Sequence, residues 1–70
     1  MGKECTLELI KINSQRSLVL WIKSNGRKEY VVCSYYDPTK EIGSQWYWGH
    51  YFFNLFDAVE YAKEIKEGVA

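Results

Sequence analysis

Several features that define common protein classes are missing from this sequence. No apolar run approaches the roughly 18 residues that a membrane-spanning helix needs, and the first residues do not form a signal peptide. Nine lysines and arginines balance nine aspartates and glutamates, so the formal net charge is zero. That balance excludes a strongly basic protein that is held to nucleic acid by bulk charge. We therefore expect a cytoplasmic protein with no membrane partner.

Metal ligands and catalytic groups are equally scarce. Cys5 and Cys33 lie far apart without a C-x-x-C pair, and His50 is the only histidine. These three residues cannot supply the four ligands of a structural zinc site without a carboxylate or a second chain, and we expect both thiols to stay reduced in the cytosol. A Cys–His pair across strands is geometrically possible, but no nucleophile elbow, orienting group or phosphate loop accompanies it. The sequence predicts a protein without a metal, a cofactor or catalytic activity.

Aromatic residues, in contrast, are abundant. They make up 17% of the 70 residues, as three Trp, six Tyr and three Phe. A chain of this length forms a single domain, residues 1–70, and large side chains help so small a core to reach stability. Most of the aromatic run from Trp46 to Phe56 is therefore interpreted as core filling.

The spacing of apolar residues predicts four strands followed by one helix. Strands are expected over residues 5–13, 17–23, 28–36 and 45–52. The alternation of the first strand breaks at Leu9 and Ile10, so this strand is either apolar on both faces or bulged at that point. Asn54 is a good N-cap for a helix over residues 54–67 that carries one apolar stripe. We expect an α+β fold, a four-stranded antiparallel meander with one C-terminal helix packed on one face.

The dipeptide Asn25–Gly26 predicts a two-residue type I′ turn between the second and third strands. That turn would pair Trp21 with Tyr30, and directly opposed residues share a face. The better core face would then hold Leu18, Leu20, Ile22, Val31, Cys33 and Tyr35. If the helix covers that face, the opposite face is left open as an apolar and basic surface. This predicted binding surface consists of Val19, Trp21, Lys23, Arg27, Lys28, Tyr30 and Val32.

Such a surface favours binding over catalysis, because exposed apolar patches mark interaction sites and Trp and Tyr are enriched at binding hot spots. Our leading hypothesis is a non-catalytic protein-interaction module that binds another protein, or a second copy of itself as a homodimer. The alternative is a domain that binds single-stranded nucleic acid. In that case Trp21 and Tyr30 would stack on bases, while Lys23, Arg27 and Lys28 would contact phosphates.

Three segments also carry a resemblance to known proteins. Residues 30–37 (YVVCSYYD), 46–52 (WYWGHYF) and 57–62 (DAVEYA) resemble small uncharacterised proteins of Firmicutes phages and mobile elements. The resemblance implies a small phage or bacterial regulator or inhibitor, of which anti-CRISPR proteins are one example. The ββββα order is similar to the Whirly-like single-stranded-DNA-binding domains of transcriptional coactivators, which dimerise through the helix.

Overall fold

A computed structural model describes residues 3–68 as an antiparallel sheet followed by a helix. The elements are β1 (Cys5–Lys11), β2 (Arg16–Ile22), β3 (Lys28–Ser34), β4 (Tyr47–Phe52) and α1 (Leu55–Lys66). The strands lie in the order β1-β2-β3-β4, which is an open meander. α1 packs on β2, β3 and β4. The predicted fold class, α+β with the order ββββα, is confirmed.

Two local predictions are also confirmed. The register of β1 against β2 shifts between Glu8 and Ile10, so of the two alternatives for this strand the bulge is the one that forms. Asn54 caps α1, because its Oδ1 accepts a hydrogen bond of 2.8 Å from the backbone N–H of Asp57. Both features depend on a few adjacent residues, and the sequence pattern therefore predicts them well.

The prediction of a two-residue turn between β2 and β3 is wrong. The N–H of Lys23 donates to the carbonyl of Arg27 at 2.8 Å, which leaves three loop residues, 24–26, instead of two. Gly26 adopts a φ of +87° and donates its N–H to the carbonyl of Lys23. This is the three-residue hairpin in which a left-handed glycine follows a type I turn. The Asn25–Gly26 dipeptide marks the position of the turn correctly but not its length.

The longer loop shifts the predicted register by one residue. Val31 lies opposite Val19, and Val32 lies opposite Leu18. Because side chains alternate along a strand, this shift moves every β3 side chain to the face opposite the expected one. Tyr30 and Val32 therefore point to the helix side of the sheet, whereas Val31 and Cys33 share the other face with Val19.

Each face of the sheet carries its own core. The helix-side core consists of buried Ile12, Leu18, Val32, Ala58, Ala62 and Ile65. The second core consists of buried Val19, Val31 and Cys33, with Trp21, Tyr36 and Trp46 packed against it. The face that we expected to be open is therefore covered by the segment that joins β3 to β4.

Gln45 holds this covering segment in place. Its side chain is buried, its Nε2 donates to the carbonyl of Lys40 at 2.8 Å, and its Oε1 accepts from the hydroxyl of Thr6 at 2.6 Å. The N–H of Asp37 donates to the carbonyl of Gln45 at 2.8 Å. One buried amide thus connects the segment to itself and to β1.

Candidate binding site at the end of β3 and β4

The residues of the predicted binding surface do not form one surface. Val19 and Val32 are buried, and they belong to different cores on opposite faces of the sheet. Trp21 is half-buried, with its ring centroid 5.5 Å from that of Trp46 in an edge-on arrangement. Tyr30 is half-buried against the helix-side core. The prediction of an open aromatic face is therefore wrong. The register of β3 is shifted by one residue, and Trp46 packs against Trp21.

The three basic residues of that surface lie together at the hairpin end of the sheet. Lys23 forms an ion pair of 3.1 Å with Glu29, and its Nζ sits 4.5 Å from the centre of the Trp21 ring. Arg27 and Lys28 are exposed. Lys23 therefore contacts a packed tryptophan, and Lys28, which pairs with Ile22, lies on the opposite face of the sheet.

An exposed aromatic cluster lies at the opposite end of the sheet, where sequence reasoning did not place a site. We define the aromatic cluster as Tyr35, Tyr47 and Trp48, whose ring centroids lie 5.9–6.3 Å apart. Trp48 is 73% exposed, and both tyrosines are more than half exposed. The cluster forms the surface where β3 ends and β4 begins.

The backbone under this cluster adopts an unusual conformation. Tyr35 and Trp48 have φ values of 55° and 51°, in the left-handed region. The register of β4 against β3 shifts between Val32 and Ser34, so β4 contains a bulge at Trp48. A left-handed backbone costs an L-residue roughly 1–2 kcal/mol. The rings of Tyr35 and Trp48 stay exposed, so burial of these side chains does not offset the cost of the left-handed backbone. Backbone strain of this kind clusters at functional sites.

Gly49, next in the bulge, leaves room for two aromatic rings on the other face. A Cβ atom at this position would lie 2.9 Å from Nε1 of Trp46 and 3.1 Å from the ring of Tyr51. The Trp46 Nε1–H donates to the hydroxyl of Tyr51 at 3.0 Å, which holds the two rings over the glycine. The sequence signal for the bulge was therefore present, as a glycine inside an aromatic strand.

Gly49→Ala is expected to lower the free energy of unfolding by about 1–3 kcal/mol, because the added methyl group displaces Trp46 or Tyr51. Urea denaturation followed by circular dichroism measures the change. In a Trp46→Phe background the Nε1 atom is absent, so the same substitution should cost clearly less. An equal cost in both backgrounds would contradict the packing described for Gly49.

A cleft of about 180 Å³ adjoins the aromatic cluster on the helix side of the sheet. Four polar side chains and Trp48 line it. Nε2 of His50 lies 3.3 Å from the hydroxyl of Tyr61, and the two rings are in contact. Arg16 and Ser34 pair directly across β2 and β3 on the same face. The lining is completed by Val32, Cys33 and Ile65.

None of the residues that line the cleft carries a carboxylate that could orient His50 as a base for Ser34. Within residues 3–68, no group of three or more His, Cys, Asp and Glu side chains could hold a metal ion. No helix in that part of the chain is long and apolar enough to cross a membrane.

Comparisons with protein-family models, curated proteins and solved structures find no match. The resemblances to phage and mobile-element proteins and to Whirly-like domains therefore stay predictions.

Proposed function

We propose that this chain is a non-catalytic protein-interaction module that binds its partner through the aromatic cluster. The proposal rests on one observation. Tyr35 and Trp48 have exposed rings that contact each other, and both residues adopt the left-handed backbone conformation. Tyr and Trp are among the residue types most enriched at binding hot spots. A module of this kind acts by occupying a site on another protein, as small regulators and inhibitors do.

The bulge also favours a particular mode of contact. β4 is an edge strand, and an edge strand can accept an additional strand from a partner. A bulge interrupts the regular pattern of hydrogen bonds along that edge and discourages such pairing. It simultaneously turns Trp48 outward. We therefore expect the partner to contact the rings of the cluster and not to extend the sheet.

The positions of the charges favour a protein over single-stranded nucleic acid. A nucleic-acid platform uses several cations next to the stacking rings, and Arg16 is the one basic residue that lines the cleft beside Trp48. Lys23, Arg27 and Lys28 lie at the hairpin end of the sheet, about 20 Å from Trp48 by the length of β3. The homodimer was expected because Val19 and Val32 would be exposed in a monomer. Both side chains are buried within the single chain, so this reason for a homodimer no longer holds.

Trp48→Gly is expected to weaken partner binding at least tenfold without destabilising the fold. Glycine adopts the left-handed conformation freely, which relieves about 1–2 kcal/mol of strain and outweighs its cost of about 0.4–1 kcal/mol in unfolded-chain entropy. Loss of the most exposed ring of the aromatic cluster removes a hot-spot contact. Urea denaturation measures the first effect. Calorimetric titration of a partner, captured from a lysate and then purified, measures the second.

Phe56→Ala is the matched control, since Phe56 is 72% exposed but lies on α1, outside the aromatic cluster. A partner that binds wild type and Phe56→Ala equally and loses affinity for Trp48→Gly supports the proposal. Equal binding by all three proteins contradicts it. Quenching of tryptophan fluorescence by an oligonucleotide at low salt, lost in Trp48→Gly, would instead favour nucleic acid.

A further inference from the structure

We infer that the cleft between Arg16, Ser34, His50 and Tyr61 binds a small oxyanion, namely a carboxylate or a phosphate group. Arg16 supplies the positive charge. Among the described residues, the ion pairs join Lys23 to Glu29 and Lys63 to Glu60, and Arg16 takes part in neither. A guanidinium group presents several N–H donors in a planar fork that matches the oxygens of carboxylates and phosphates.

Ser34 supplies a hydroxyl to the same cleft. The residue is only 6% exposed, and it lines the cleft. Among the described residues, Nε1 of Trp21 is the buried side-chain atom that lacks a hydrogen-bond partner, and the Ser34 hydroxyl is not such an atom. A serine hydroxyl in the lining can donate to an anion that enters the cleft. Ser34 lies directly opposite Arg16 on the same face, so both donors can reach one group.

The opposite wall of the cleft adds a further hydrogen-bond donor, and it contains no negatively charged side chain that would repel an anion. His50 and Tyr61 hold each other through the contact of 3.3 Å between Nε2 and the hydroxyl. In a neutral pair one of the two polar hydrogens is used in that contact, and the other, on the Tyr61 hydroxyl or on Nδ1 of His50, can be donated to an anion. The carboxylates of α1 are not among the residues that line the cleft. An anion in this position would therefore meet donors on two sides.

The size of the cleft limits what can enter. Its volume of about 180 Å³ is below the roughly 300–1,000 Å³ of sites for drug-sized ligands. A single carboxylate or phosphate group fits, whereas a whole nucleotide does not. Because Trp48 forms part of the wall, an aromatic group attached to the anion could pack on its ring. The inference does not rest on the proposed protein partner, although a partner side chain could supply the anion.

The test is a titration with four probes at constant ionic strength: inorganic phosphate, acetate, phenyl phosphate and benzoate. Nuclear magnetic resonance of ¹⁵N-labelled protein follows the side-chain Nε–H of Arg16 and the backbone N–H of Ser34. We expect saturable shifts with millimolar dissociation constants. Arg16→Gln should weaken binding at least tenfold. Arg27→Gln, which removes an exposed arginine at the hairpin end, should leave it unchanged.

The probes also separate the two sources of the anion. Stronger binding of the two phosphates indicates a phosphate group, and stronger binding of acetate and benzoate indicates a carboxylate. Trp48→Gly should weaken the binding of phenyl phosphate or benzoate but leave the binding of inorganic phosphate and acetate unaffected, so this test remains independent of partner binding. Shifts that do not saturate, or that are equal in Arg16→Gln and wild type, overturn the inference.

Discussion

Leu18→Ala is expected to lower the free energy of unfolding by about 2–5 kcal/mol. Leu18 is fully buried in the helix-side core, where it lies between the sheet and α1. Its truncation removes apolar contacts and leaves a cavity that the surrounding strands can fill only in part. Native domains are stable by only about 0.05–0.15 kcal/mol per residue, so a large share of the total stability would be lost.

Leu7→Ala is the matched control for this substitution. Leu7 lies on the same side of the sheet but is 58% exposed on β1, outside the region that α1 covers. The same chemical change there should cost less than about 1 kcal/mol, because little apolar surface is removed from contact. Urea denaturation of both variants gives the comparison. Equal losses would contradict the position assigned to the core.

Alkaline pH is expected to destabilise the protein through Cys33. Burial, and secondly the negative charge of Glu8, raise the pKa of the Cys33 thiol from 9.0 to about 12. Between about pH 9 and pH 12 the unfolded chain has released a proton that the folded chain retains. The unfolded state is favoured increasingly over this range, by about 1.4 kcal/mol for each pH unit. Below pH 9 both states keep the proton, so this contribution does not vary.

Cys33→Ala isolates the effect, because lysines and tyrosines titrate in the same range. The free energy of unfolding of wild type should fall more steeply with pH than that of Cys33→Ala. Cys5→Ala, which changes the exposed cysteine, should retain the wild-type slope. Parallel slopes in wild type and Cys33→Ala would show that the buried thiol does not titrate as described.

The sequence predicted the features that depend on neighbouring residues. Strand order, the bulge at Leu9 and Ile10 and the Asn54 cap all follow from local spacing. The register of β2 against β3 does not follow from local spacing, because the Asn25–Gly26 dipeptide is compatible with both two-residue and three-residue loops. One additional loop residue reversed the face of the whole of β3, and with it the predicted surface.

The candidate binding site was missed for a related reason. Composition does not separate Trp46, which covers the second core, from Trp48, which is exposed. The bulge makes that distinction, and its only signal in the sequence was Gly49. Arg16, Ser34, His50 and Tyr61 come from four different elements, and periodicity within a single element does not reveal that they line one cleft.

The cores on the two faces of the sheet also differ in the kind of structure that covers them. One is covered by a capped helix, whereas the other is closed by an irregular segment that is attached through Gln45. Regions held by few regular hydrogen bonds open at lower free energy than the global fold. We therefore expect this segment to open at lower free energy than the paired strands, which would separate Trp21 from Trp46 and expose Val19 and Val31 to solvent.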